Sequence, residues 1–230
     1  MPDDIYTNGT YLRGHPTWHS EDSPWKAGQI LRMIERGNLR PRSLCEVGCG
    51  AGEVLKQLQL RMGKECRFCG YEVSPQAFQL CQAKANERLV FQLGDLSRAE
   101  AHFDILLVID VIEHIDDYLG FLRGIKSKSV YKIFHIPLDL SVQGILRNVP
   151  GKRRAEIGHL HYFTKATALQ SLRDCGYEVL DHFYTPGSME LPHMPLRTHI
   201  ANLPRRFFFP LHRDITALVF GGYSLLVLAR

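Results

Sequence analysis

The sequence predicts a single α/β domain built on a parallel sheet. Three observations predict it. Strand-like apolar runs alternate with segments of helical periodicity between residues 24 and 136, and the first run ends in a glycine-rich turn, "EVGCGAG". A later run, "FDILLVID", is apolar almost throughout, as a strand covered on both faces must be. At 230 residues with 45% hydrophobic content, the chain can bury one sizeable core without dividing into domains.

Each element has its own local reason. Ser23-Pro24 reads as an N-cap followed by proline at the first helical position, and Ala27, Ile30, Leu31 and Ile34 follow at helical spacing. A first helix should therefore run from about Pro24 to Arg36. "SLCEV" is a short apolar strand, and Val54, Leu55, Leu58 and Met62 form the buried stripe of the helix beyond the glycines. The unit repeats: "RFCGYEV" is a strand, Ser74-Pro75 opens the helix "QAFQLCQAKAN", and "LVFQLG" is a third strand. After "FDILLVID", the segments "DDYLGFLRGIK" and "VYKIFHI" supply a further helix and a fifth strand. Residues 137–160 read as a Pro/Gly/Arg-containing connection. Thr164 then opens the helix "KATALQSLRDC", with Gly176 as its stop. "YEVLDHFY" and "YSLLVLA" are two last strands, separated by a segment, 185–222, that carries its own helix. Seven strands with two insertions is the predicted architecture.

Composition excludes several classes. A net charge of +4 and a pI near 8.7 lack the concentrated basic excess of a dedicated nucleic-acid binder. The opening residues, "MPDDIYTNGTYLRGHPTWHS", show no basic stretch followed by an apolar one, so no secretory signal is read and a cytoplasmic location is expected. The six cysteines are then expected to stay reduced. Cys66 and Cys69 share a C-x-x-C spacing, but no second pair accompanies them, and their odd separation in a strand places the thiols on opposite faces. The uncharged run "ITALVFGGYSLLVLA" is too short to span a membrane, and Gly221-Gly222 divides it into a helix end and a strand, both read as buried core.

The residues at the strand ends carry the chemistry. In a parallel sheet ligands bind beyond the carboxyl ends of the strands, where the strand order reverses. Gly48, Gly50 and Gly52 leave backbone N–H groups and a helix N-terminus open to close approach. Glu72 closes the second strand and suits ribose hydroxyls. Asp95, after the third, suits an adenine amino group, and Asp110 closes the fourth.

Taken together, "CEVGCGAGEVL", "YEVSPQA", "FQLGDL", "FDILLVIDVIEHIDD", "GHLHYFT" and "CGYEVL" resemble the class I S-adenosylmethionine-dependent methyltransferases. The acid-first pattern at Glu46 distinguishes the glycine turn from the dinucleotide-binding G-x-G-x-x-G. The resemblance implies a three-layer, Rossmann-like sandwich whose seven-stranded sheet is mostly parallel with an antiparallel last strand. It implies S-adenosyl-L-methionine as cofactor. Gly48, Cys49, Gly50 and Gly52 should line its methionine part, and Glu46 should help hold the amino group. Glu72 should take the ribose and Asp95 the adenine amine, with Val73 and Leu96 flanking the ring. Asp110 and Val111 should close the site.

The expected reaction is methyl transfer to an O or N nucleophile of a small-molecule acceptor. A catalytically silent cofactor-binding or scaffold module and an NAD-dependent oxidoreductase are the alternatives. An acceptor hydroxyl must lose its proton, and His114, His159 and His161 are the candidate bases. An extended "HLHYF" would turn His159 and His161 to one face. Asp110, His114, Asp116 and Asp117 could suggest a metal cluster, but Asp116 and Asp117 also serve as helix caps, so no metal is expected. Residues 1–40 should form an N-terminal lid or helix, with Tyr11, Trp18 and Trp25 near the acceptor. Residues 137–160 and 185–222 should form the other walls, and Tyr162 should face the acceptor. "LPRRFFFPLHR" would suit a lipid surface or nucleic-acid backbone, but burial beneath a lid or at a dimer contact is the favoured reading.

Overall fold

The computed structural model describes residues 17–18, 20–187 and 202–230. Seven strands form one sheet: β1 (Ser43–Val47), β2 (Arg67–Glu72), β3 (Leu89–Leu93), β4 (Phe103–Ile109), β5 (Ser129–Pro137), β6 (Val179–Thr185) and β7 (Ser224–Ala229). Their spatial order is β3-β2-β1-β4-β5-β7-β6. The pairs β1–β2, β1–β4, β2–β3 and β4–β5 are parallel, and β7 runs antiparallel to both β5 and β6. The predicted parallel sheet with one antiparallel last strand is the observed one.

Side-chain parity divides the core into two layers. Along β4, Ile105, Leu107 and Ile109 face one layer, and Leu106 and Val108 the other. The first layer is built from α1 (Ser23–Arg36), α2 (Glu53–Arg61) and α3 (Pro75–Gln82), which contribute Ile30, Met33, Leu55, Leu58 and Cys81. The second is built from α4 (Tyr118–Ile125) and α7 (Lys165–Asp174), through Leu122, Ile125, Ala168 and Leu172. Cys66 packs in the first layer and Cys69 against the second, as their spacing predicted, and all six cysteines are free.

Four local expectations need correction. Ser23 is not the N-cap: a 3-10 turn over Ser20–Asp22 precedes α1, Asp22 holds the cap position without a side-chain bond, and Ser23 is buried inside the helix. Pro24 remains in the first turn, where its missing N–H costs nothing. Residues 137–160 are not an irregular connection but carry α5 (Val142–Leu146) and α6 (Val149–Ile157). α6 buries no residue, so it offers no apolar stripe to read. Residues 185–222 hold two helices among the described residues, α8 (Leu203–Phe208) and α9 (Arg213–Phe220). Gly221, at φ 62°, stops α9 as expected, but only Thr216 and Ala217 of that helix are buried while Ile215 and Leu218 are more than half exposed, so the helix half of the tail is core on one side only.

The aromatic cluster is likewise divided. Phe209 stacks on Tyr223 with ring centroids 4.8 Å apart, whereas Phe207 is 68% exposed. Arg205 is the buried cation, donating to the carbonyls of Gly221 and Phe220 and to Gln143 Oε1. Among the described residues, no helix is long and apolar enough to cross a membrane.

Candidate active site

The strand order reverses direction between β1 and β4, and the loops leaving these strands open a crevice at the carboxyl edge. The crevice widens into a cavity of about 2020 Å³. Its floor is the glycine turn. Gly50 adopts φ +53°, and a Cβ there would lie 2.6 Å from Trp18 Cδ1. The backbone N–H of Gly50 donates to Glu72 Oε2 at 2.7 Å, while Ser74 N–H donates to Oε1 at 2.8 Å. Glu72 thus ties the turn after β1 to the end of β2. Gly48 also lines the cavity, beside Val111. Gly52 does not: at φ +73° it opens α2 beneath Phe91, whose ring carbons would lie 2.6 Å from a Cβ. Its job is helix–sheet packing. The Cys49 thiol is turned into the core toward Gly70, leaving only its backbone for a ligand.

Charge accumulates around this floor. Glu46 is buried on the cavity wall, and among the described residues its Oε2 has no hydrogen-bond partner. Burial pushes its pKa up to about 8, against the opposing pull of Lys26. Asp110 follows β4 in a left-handed conformation, φ +53°. It accepts from Lys26 at 2.7 Å and from His135 Nδ1 at 2.6 Å. Burial would raise its pKa, but the neighbouring His135 ring and Lys26 ammonium outweigh burial and hold it well below the usual carboxylate range. His135 reaches onward to Thr185 Oγ1 at 2.9 Å. Asp95 lies on the rim, accepting from Ser97 N–H at 2.8 Å, and Val73 beside it is 56% exposed. Leu96 is wholly buried in the second core layer and is not on the wall, which corrects its expected place beside a bound ring.

Two of the candidate histidines line the same cavity. The Glu113 carbonyl accepts from the N–H groups of Leu160 (2.7 Å) and His161 (3.1 Å), which brings "GHLHYFT" against the loop after β4. His114 and His159 line the cavity with ring centroids 4.8 Å apart. Burial, then the neighbouring His159, lowers the His114 pKa to about 4. His159 Nδ1 bonds Asp139 Oδ2 at 2.6 Å. His161 departs from the expected arrangement. Its Nε2–H donates to the carbonyls of Ile115 (2.9 Å) and Asp116 (3.1 Å), its ring packs on Tyr118, and it is not on the cavity wall. The chain around it does not present 159 and 161 on one shared face. Tyr162 also lies off the wall, its hydroxyl donating to the His159 carbonyl at 3.0 Å.

Trp18 covers the glycine turn, and Trp25 lies edge-on to His135 with centroids 6.2 Å apart; both line the cavity. Tyr11 lies outside the described residues. Both insertions contribute wall, among them Asp139 and Arg153 from the first and Asn202 and Arg205 from the second. Sequence reasoning missed Lys26, Glu113, His135 and Asp139. Glu113 stood inside a quoted motif without being singled out, and the others carry no motif of their own.

This sheet order, with a glycine turn and carboxylates gathered at the switch point, defines an α/β fold that takes a nucleoside-bearing ligand. The chain belongs to the methyltransferase domain family, whose profile matches residues 19–182. It is 32% identical over 106 residues to norajmaline N-methyltransferase of Rauvolfia serpentina, covering 43% of this chain and 36% of that protein. It is 28% identical over 185 residues to a tRNA U34 carboxymethyltransferase of Sodalis glossinidius, covering 72% and 52%. The chain thus spans about half or less of the length of these relatives. Among solved structures, an N-methyltransferase of Bradyrhizobium japonicum in complex with S-adenosyl-L-homocysteine superposes with a TM-score of 0.63 at 15% identity, covering 99% of this chain and 98% of that one. The Synechocystis magnesium protoporphyrin IX methyltransferase superposes at 0.61 with 15% identity, covering 90% and 82%. At such identities the superpositions establish the fold.

Proposed function

We propose that the protein is an S-adenosylmethionine-dependent methyltransferase acting on an O or N nucleophile of a small-molecule acceptor. The observation that carries this is the convergence of Glu46, Glu72, Asp95 and Asp110, from four successive parallel strands, around one glycine-floored cavity. The residues fit the cofactor. Among the described residues the Glu46 Oε2 has no partner, and it is an acceptor suited to a donor such as an ammonium.

When bound, S-adenosylmethionine supplies an electrophilic methyl group on a sulfonium. The chain's residues bind, align and shield. Glu46 takes the amino group. Each Glu72 oxygen accepts one backbone N–H, which fixes the carboxylate at the end of the second strand, and Glu72 takes the ribose hydroxyls. Asp95 takes the adenine amine, with Val73 against the ring. Trp18, Trp25 and the two insertions form the cover that excludes water. Alignment of nucleophile and methyl supplies most of the acceleration, of the order of 7–11 kcal/mol. The acceptor's nucleophile is held at the wall formed by Glu113, His114 and His159.

The relatives named as N-methyltransferases support nitrogen as the nucleophile. A methyl-transfer screen tests the reading, using labelled cofactor against pooled amines and hydroxylated metabolites, with bulk tRNA as a second arm because one relative is named for tRNA. Label in the small-molecule arm supports the proposal; label confined to tRNA overturns the acceptor class, and label in neither arm favours the silent module.

A further inference from the structure

We propose that Glu113, His114 and His159 bind one first-row transition dication, of the zinc, manganese or iron(II) class, at the acceptor end of the cavity. Binding of the ion stands on these side chains alone; its role toward the acceptor rests on the methyl-transfer reading.

Three independent features point there. Glu113 is 0% exposed, and among the described residues neither carboxyl oxygen has a hydrogen-bond partner. Two orphaned oxygens on one wholly buried carboxyl are costly, and native chains rarely leave such a group without a ligand. One ligand atom from each of the three residues lies within 4.8 Å of the others. Glu113 Oε1 is 3.9 Å from His114 Nε2 and 4.0 Å from His159 Nε2. Movements of less than about half an ångström per side chain bring such a triangle onto one ion at the roughly 2.0–2.2 Å typical of nitrogen and oxygen ligands.

The rings are also turned for ligation. His159 Nδ1–H is held by Asp139 at 2.6 Å, which makes Nε2, the atom facing Glu113, the electron-pair donor. A carboxylate behind a ligating imidazole is the usual means of fixing its tautomer. His114 Nδ1 faces the Gly158 carbonyl at 3.4 Å, and its Nε2 lies 3.9 Å from Glu113 Oε1. The backbone locks the set together, since Leu160 and His161 both donate to the Glu113 carbonyl.

Two imidazoles and one carboxylate favour borderline transition ions over magnesium, which prefers all-oxygen surroundings and retains its water. All three residues line the cavity, so the ion's remaining positions face the acceptor space. An oxygen or nitrogen of the acceptor can complete the coordination there.

The test uses the full chain, stripped with a chelator and titrated calorimetrically with ZnCl2, MnCl2 and MgCl2, with Co2+ absorption as a second readout. The wild type should bind one equivalent of Zn2+ and give cobalt d–d bands without thiolate charge transfer, which separates this site from the six cysteines. Glu113→Gln and His159→Ala should weaken binding by about 100-fold or more, and Asp139→Asn by about 10–100-fold. Circular dichroism checks that each variant is folded, and the stoichiometry of the wild type stands whether or not a variant folds. Failure to bind Zn2+ or Co2+ stoichiometrically, magnesium binding as tight as zinc, or equal affinity in every folded variant would overturn the site. Titrating S-adenosylmethionine into the same stripped protein tests the methyl-transfer reading separately, so the two failures are distinguishable.

Discussion

Replacing Glu72 with glutamine leaves shape and volume almost unchanged and removes one acceptor. In the native chain both oxygens are used, Oε2 by Gly50 N–H at 2.7 Å and Oε1 by Ser74 N–H at 2.8 Å, at a residue 5% exposed. An amide can satisfy only one of these donors. Its NH2 must face the other, so one charge-assisted bond is lost and a buried N–H is left without its acceptor. Loss of such a bond costs about 1.5–3 kcal/mol. For a chain of this size each kcal/mol moves Tm by about 2–4 °C, so the variant should melt roughly 3–12 °C below the wild type. The freed turn should also bind S-adenosylmethionine less tightly, by about tenfold, because Gly50 is no longer held in its left-handed conformation. Differential scanning fluorimetry and calorimetric titration measure the two effects. An unchanged Tm together with unchanged affinity would refute the claim that Glu72 organises the glycine turn.

Three further outcomes follow from the same geometry. Gly50→Ala places a methyl group at φ +53° and 2.6 Å from Trp18, so it should lose about 1–3 kcal/mol of stability and displace the tryptophan, read as a shift in Trp18 fluorescence; a wild-type melt and spectrum would contradict it. Glu46 has its pKa raised to about 8, so the folded chain holds a proton the unfolded chain has lost, and stability falls as pH rises from about 4.5 to about 8; urea unfolding across pH 5–9 should show this slope reduced in Glu46→Gln, and equal slopes would show that Glu46 is not buried as a neutral acid. His161→Ala removes an imidazole that bonds two backbone carbonyls and should cost about 1–3 kcal/mol of stability while kcat stays within about twofold; a tenfold fall in kcat at unchanged stability would return His161 to the chemistry.

What the sequence made legible was whatever leaves a period or a punctuation mark. The seven strands, the Gly221 stop and the parity of Cys66 and Cys69 are all of this kind, because burial on two faces writes an apolar run and a left-handed turn writes a glycine. α6 escaped because a helix that buries nothing has no stripe. The site divided along the same line. The strand-end carboxylates sit at positions the sheet dictates, so their gathering could be anticipated from the chain. His161 and Tyr162 stand at irregular backbone, where no period fixes which way a side chain turns, and Leu96 opens a short 3-10 turn that sends it into the core. Lys26, His135 and Asp139 were invisible for another reason: each acquires meaning only from a partner at least 20 residues away.

The central claim is that the glycine-floored cavity holds S-adenosylmethionine. Calorimetric titration of the wild-type chain with S-adenosylmethionine, S-adenosylhomocysteine and NAD in parallel tests it most directly. The account predicts one equivalent of each adenosyl ligand bound in the micromolar range, with affinity reduced in Glu72→Gln, and no heat from NAD. Saturable binding of NAD with none of S-adenosylmethionine would contradict it.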